Sequence, residues 1–271
     1  MRLLFIGDVV AESGCKALSH YAPLLRKKLN IDCVIANAEN AAFHGMTQEI
    51  IDAFYAAGVD GITSGNHMWD NQGIYAFIDT DPRVIRPLNL IQKRPGKGFT
   101  VIDVKGKKIL LINALGSLLM TDEVTSPFED IMRVVDDYPL AEAVDAILVD
   151  FHTETTSEKN AMGTWLDGKV SVIVGTHTHM PTADHQILPN GTAYQTDTGM
   201  TCDYDSNIGV KKHLMLERFL GKREKEQDFV PADSEATLCG LLVDIDDTTG
   251  LATHVEPVRV GGRLSQTHVL D

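Results

Sequence analysis

Strand-length apolar runs recur through the first two-thirds of the chain, and five of them end on residues that bind cations or protons. "RLLFIG" runs into Asp8, "DCVIANA" into Glu39 and Asn40, and "GITSG" into Asn66 and His67. Further on, "DAILVDF" ends at His152 and "VSVIVGT" at His177 and His179. The runs are rich in Val and Ile and bounded by Gly, Asn or Asp, as strands are. Between the first three lie "KALSHYAPLLRKKLN" and "TQEIIDAFYAAGVD", whose apolar residues repeat at helical spacing. Alternating β and α units make a sheet covered by helices. In an open α/β sheet, ligands bind outside the carboxyl ends of the strands, so five strands deliver Asp, Glu, Asn and His to one edge.

Each polar residue alone has an ordinary explanation. Asp8 can cap a helix, Glu39 and Asn40 can sit in a solvated loop, Asn66 can form a turn with Gly65, and His152 can be a hydrogen-bonded edge histidine. Their convergence is what these explanations leave unaccounted for. His177 and His179 are two residues apart and face the same side if strand geometry persists. Two imidazoles with carboxylates and amide oxygens, and no thiolate, suit a first-row divalent cation. Seven ligand-type residues exceed one tetrahedral site. With one carboxylate able to bridge, they fit a two-metal centre, whose ions typically lie about 3.5–4 Å apart.

The second half reads differently. "GFTVIDVKGKKILLINALG" is two strands split by a Lys-Gly turn, Asn190-Gly191 in "HQILPNGTAYQTD" is a hairpin signal, and "ATLCGLLVDIDDTTGLATHVEPVRV" is two long strands around a Gly turn. "RVIRPLN" also has strand composition. The expected class is α/β, a mixed sheet or a two-sheet sandwich with outer helices, in a single domain over 1–271 whose tail after about 261 is peripheral. With 271 residues, 44% of them hydrophobic, the chain can bury one large core or two small ones.

Lys and Arg number 24 against 38 Asp and Glu, a formal charge of −14 that disfavours long nucleic acid as a ligand. Cys15, Cys33, Cys202 and Cys239 are widely spaced, without a CxxC pair, as expected of reduced thiols in a cytoplasmic protein. The N-terminal "MRLLFIGDVVAESG" carries neither a cleavage-site pattern nor a bilayer-spanning length.

At these residues the sequence resembles the calcineurin-like metallophosphoesterases, whose ordered motifs are an early Asp, a bridging acid, Gly-Asn-His, a lone His and Gly-His-x-His. Over about residues 1–250, "MRLLFIGDVV", "NAENAA", "GNHMWD", "VIRPLN", "DFHTETTSEK", "GTHTHMPTAD" and "DTGMTCDYDS" are similar to the YmdB family of that superfamily. Val10 stands where the wider superfamily has a histidine, Glu39 where it has the bridging Asp, and Thr176 separates Gly175 from the histidine pair. These departures match the YmdB branch, in which an Asn beside the bridging Glu supplies the missing ligand, here Asn40.

The resemblance implies a four-layer α-β-β-α sandwich of two mixed sheets flanked by helices, with the metals at the strand C-terminal ends. It assigns one metal to Asp8, Glu39, Asn40 and His179 and a second to Glu39, Asn66, His152 and His177, with His67 as the catalytic general acid. The cofactors implied are two divalent or trivalent first-row ions, Fe or Mn foremost, with Zn or Co as substitutes. The implied reaction is hydrolysis of small phosphodiesters, 2',3'-cyclic nucleotides foremost, by in-line attack of a hydroxide shared between the ions, in a chain that can associate with copies of itself. A broad phosphomonoesterase, an RNA nuclease and a nucleotide-binding regulator with little turnover remain as alternatives. A two-metal amidohydrolase fits less well, because its His-x-His pair ends the first strand, whereas here the pair comes late.

Other polar residues have two readings each. His44 can contact substrate or sit on the surface. Thr153 and Glu154 can orient His152, or Thr153 or Ser157 can cap the helix over "SEKNAMGTW". Asp70 and Asp184 can support the site or act as caps. His20, His185, His213, His254 and His268 have no converging partners and read as structural or exposed.

Overall fold

The computed structural model describes residues 1–222, 229–268 and 270. Its first half alternates β1 (Arg2–Ile6), α1 (Ala11–Lys28), β2 (Cys33–Asn37), α2 (Gln48–Ala56) and β3 (Gly61–Thr63). A hairpin of β4 (Phe99–Val104) and β5 (Lys107–Leu115) follows. Then come α3 (Pro127–Asp137), β6 (Ala146–His152), α4 (Thr156–Leu166) and β7 (Val172–Thr176). Short pairs β8 (Gln186–Ile187) with β9 (Ala193–Gln195), and β10 (Ser206–Asn207) with β11 (Val210–Lys211), lead to α5 (Lys212–Phe219). The chain closes with the long antiparallel pair β12 (Leu238–Ile245) and β13 (Ala252–Val260).

Two large mixed sheets result, one ordered β13-β12-β1-β2-β3 and the other β4-β5-β6-β7-β9-β8. Strands β1, β2 and β3 run parallel, as do β5, β6, β7 and β9, so the carboxyl ends gather on one edge of each sheet. Side-chain alternation separates the three large cores among the described residues. From β1, Leu3 and Phe5 meet Ile109 and Leu111 of β5 and Leu148 of β6 in a core shared by both sheets. Leu4 and Ile6 face the opposite way, onto Leu18, Leu25 and Phe54 of α1 and α2. In the second sheet, Leu110, Ile112, Val149 and Phe151 pack against Ile131, Met162 and Leu166 of α3 and α4. Strands buried on both faces have no polar alternation, which is why they read as continuous apolar runs.

Several local expectations are altered. "RVIRPLN" forms no strand: Val84 bridges Ile62 on one side and Ile85 bridges Lys97 on the other. One bridge per side makes no ladder, and Pro87 lacks the N–H needed to extend it. Neither Thr153 nor Ser157 caps α4; Thr155 occupies that position without a side-chain capping bond. Helix α3 went unread in the sequence, although Ser126-Pro127-x-Glu129 is a helix-start pattern, with Ser126 Oγ accepting from the Glu129 N–H.

Candidate metal centre

The first sheet supplies Asp8 just beyond β1, Glu39 and Asn40 beyond β2, and Asn66 and His67 beyond β3. The second sheet supplies His152 as the last residue of β6, with His177 and His179 beyond β7. All of them meet in the cleft between the two sheet edges. Asp8, Glu39 and His179 bring one ligand atom each to within 4.8 Å of one another, and so do Glu39, His152 and His177. Glu39 belongs to both groups. Asn40 Nδ2 lies 2.8 Å from Glu39 Oε1 and 3.5 Å from His179 Nε2; a half-turn of the amide would present its oxygen there. Asn66 Oδ1 is 2.9 Å from His152 Nε2, which is itself 3.1 Å from His177 Nδ1. The structure therefore brings together all seven ligand-type residues that the sequence singled out.

Strand geometry is not what orients the histidine pair. β7 stops at Thr176, and His177 and His179 lie in left-handed backbone with φ of 93° and 67°. Their neighbours hold this unfavourable conformation. The His177 N–H donates to Asp8 Oδ2, and the Thr178 N–H and hydroxyl both donate to Asp197 Oδ2. As a result the two rings serve different groups, His177 with Glu39 and His152, and His179 with Asp8 and Glu39.

Cation binding is tested by one buried atom. Asp8 is wholly buried, and its Oδ1 has no hydrogen-bond donor. A carboxylate oxygen sealed from water and donors is costly unless a positive charge faces it, and His152 Nδ1, 3.9 Å away, is too far to donate to it. Burial accordingly pushes the Asp8 pKa well above the carboxylate range. Gly65 gives a second indication, because a Cβ there would strike Glu39 Oε2 and His152 Nε2. The backbone approaches so closely that only glycine leaves room for the ligand atoms. The residues fit a pair of first-row cations held through oxygen and imidazole nitrogen.

Without cations, the charges balance internally. Burial opposes charge on His152, but Glu39 beside it, with Asp8 and Asp150, outweighs burial and raises its pKa to about 9. Burial likewise opposes ionisation of Glu39, yet His152 holds its carboxyl far below the usual range. Burial and the charge of His152 lower His177 to about 3, and burial lowers His179. Imidazole must be unprotonated to bind a cation, so loading the site displaces the proton of His152.

Beneath the centre lies a polar layer that sequence reading missed. Asp150 is fully buried and accepts from Asn37 Nδ2 at 2.8 Å and Thr63 Oγ1 at 2.5 Å in one sheet, and from Thr176 Oγ1 at 2.6 Å in the other. With its proton given to Asp150, the Thr176 hydroxyl must accept from His152 Nδ1, 2.9 Å away. That fixes the tautomer and leaves His152 Nε2 toward the ligand cluster. Lys159 Nζ, also buried, binds the Thr176 carbonyl and Asp197 Oδ2, both at 2.8 Å. These residues sit inside apolar runs or on a helix, and only tertiary pairing reveals their purpose.

The rim is arranged around His67, whose Nδ1 lies 2.9 Å from Asp70 Oδ2 and 3.0 Å from His44 Nδ1. Asp70 thus faces the site. Asp184 is a local brace, accepting from the N–H and hydroxyl of Thr196, and Thr153 donates to Glu158. Glu154 contacts His177 Nε2 at 3.2 Å, although His152 was its expected neighbour. All four cysteines are free, and no helix among the described residues is long and apolar enough to cross a membrane.

A family model described as YmdB-like protein matches residues 4–258, and the chain belongs to that family. It is 41% identical over 264 residues to the 2',3'-cyclic-nucleotide 2'-phosphodiesterase of Bacillus subtilis (strain 168), covering 96% of this chain and 97% of that one. Among solved structures it resembles a hypothetical protein from Thermus thermophilus, with a TM-score of 0.89 and 38% identity over 97% of this chain and 100% of that one. A novel phosphatase from Mycoplasma pneumoniae aligns with a TM-score of 0.88 and 32% identity, covering 96% and 93% respectively.

Proposed function

We propose that the chain is a metal-dependent phosphodiesterase of small phosphodiesters, with 2',3'-cyclic nucleotides as its best substrates and the 2'-ester as the bond broken. The observation that carries this is the carboxylate of Glu39, which belongs to both ligand groups at once. Asp8, Glu39, Asn40 and His179 would hold one cation, and Glu39, Asn66, His152 and His177 the second. The donor set accepts several first-row ions, with iron or manganese foremost by the family resemblance and zinc or cobalt as substitutes. Bound there, the cations would neutralise phosphate charge and lower the pKa of water toward neutrality. The three cores support a four-layer α-β-β-α sandwich as the frame. The cytoplasm, where thiols stay reduced, suits the four free cysteines.

The chain's own chemistry centres on His67. Asp70 and His44 engage its Nδ1, leaving Nε2 as the atom that gives a proton to the departing ribose oxygen. An alkoxide leaves poorly, and a positioned general acid contributes about 10²- to 10⁴-fold. The net acidity of the chain favours a small anionic substrate, drawn in by the cation site, over a long polyanion. The test is His67→Ala with 2',3'-cyclic AMP as substrate. Turnover should fall by about 10²-fold or more while the two cations of the seven-residue centre stay bound. Wild-type turnover in this variant would remove His67 from the mechanism.

A further inference from the structure

Outside the seven-residue centre, one more group of ligand atoms converges among the described residues. His44 Nδ1, His67 Nδ1 and Asp70 Oδ2 form a triangle with sides of 3.0, 2.9 and 3.5 Å. In a tetrahedral zinc site with bonds of about 2.0–2.1 Å, neighbouring ligand atoms lie roughly 3.3 Å apart. The triangle is thus close to one face of such a tetrahedron. The two imidazoles meet at 76° with centroids 4.4 Å apart, so the rings approach the triangle from different planes. Hydrogen bonding alone satisfies this arrangement poorly. A ring nitrogen carries at most one proton, and each placement leaves a lone pair facing a lone pair or a proton facing a proton across one side of the triangle. A cation satisfies all three atoms together.

The loops that present these residues are well fixed. His44 lies between Phe43 and Gly45, both in left-handed backbone, and the Ala42 N–H and Gly45 carbonyl close the loop at 2.9 Å. On the other loop, the Asp70 N–H binds the His67 carbonyl at 3.1 Å. All three side chains are partly open to solvent, so a fourth position can be filled by water.

We propose that His44, His67 and Asp70 form a third cation site, selective for zinc over manganese, and that its occupation inhibits the enzyme. Two imidazole nitrogens and one carboxylate favour zinc over manganese at equal concentration. A His67 ring whose Nδ1 is taken by a cation can give up its Nε2 proton only by becoming an imidazolate, which makes it a far weaker acid toward the leaving oxygen than an imidazolium. Asp70 is captured at the same time. The inhibition rests on His67 being the proton donor, whereas the site itself does not depend on that reading.

The experiment loads metal-free protein with zinc alone and measures bound zinc per chain by elemental analysis across a range of free zinc concentrations. The same samples are assayed on 2',3'-cyclic AMP, and the series is repeated with His44→Ala. Wild-type protein should bind a third, weaker equivalent, with turnover rising as the first two bind and falling as the third does. His44→Ala should bind that equivalent at least about 10-fold more weakly, because losing a ligand costs no less than losing a residue that supports one. Whatever its maximal turnover, that maximum should not fall at zinc concentrations that inhibit the wild type. Identical zinc binding in the two proteins would overturn the site. Loss of the third equivalent in His44→Ala without relief of inhibition would overturn the inhibitory role. If neither protein turns over substrate, the phosphodiesterase reading fails while the zinc count still decides the site.

Discussion

Glu39→Gln is expected to lose both cations together. Glutamine keeps the length and shape of the side chain but removes the negative charge that lies in both ligand groups. It also leaves His152 without the neighbour that does most to sustain its charge in the metal-free protein. Elemental analysis should show metal falling from two ions per chain to near none. Lewis-acid stabilisation is worth several kcal/mol, so turnover should drop by about 10³-fold or more. A variant that keeps one tightly bound ion would show that Glu39 serves a single cation, and would refute the shared-carboxylate arrangement.

Gly65→Ala should have a comparable effect through a different cause. The added methyl group would overlap Glu39 Oε2 and the Nε2 edge of His152, two side chains that would hold the proposed second cation. The backbone here follows β3 into the Asn66–His67 turn and has little freedom to withdraw. Overpacking of this kind costs about 1–3 kcal/mol of stability, and here it acts on ligand atoms directly. Thermal unfolding should show a lowered midpoint, and metal analysis should show the Glu39, Asn66, His152 and His177 position depleted. Full metal content and unchanged turnover in this alanine variant would mean that the close approach of the Gly65 backbone is not a requirement of the site.

Much of this site is legible in the sequence because the fold exposes its chemistry at strand ends. Asp8, Glu39, Asn66 and His152 follow apolar runs directly, so reading where each run stops also locates the polar residue. The hairpin of β4 and β5 and the long β12–β13 pair were equally visible, since their Gly turns interrupt β-rich sequence. The histidine pair was found for a reason that the structure replaces. Alternation along a strand would put both rings on one face, whereas left-handed backbone beyond β7 sends them to different ligand groups. That conformation depends on Asp8 and Asp197, which are distant in sequence from the pair they hold.

What the sequence concealed is mostly pairing between buried polar groups. Asp150 sits inside "DAILVDFH", where a carboxylate between apolar residues gives no hint that Asn37, Thr63 and Thr176 will share it. Lys159 reads as one more charge on a helix, yet it is buried against Asp197 and the Thr176 carbonyl. His44 likewise has no periodicity to mark it, and only the folded loops carry it to His67. Local pattern identifies the residues that end strands, whereas tertiary contact decides which of them support one another.

The central claim, that paired cations at this strand edge hydrolyse a small phosphodiester, is tested most directly by product analysis. Purified protein is incubated with 2',3'-cyclic AMP as isolated, after chelation, and after chelation followed by Mn²⁺, and the nucleotides are separated by chromatography. The expected result is conversion to 3'-AMP that disappears on chelation and returns with Mn²⁺. Persistence of the cyclic nucleotide in every sample, from protein carrying two ions per chain, would contradict phosphodiester hydrolysis at this site.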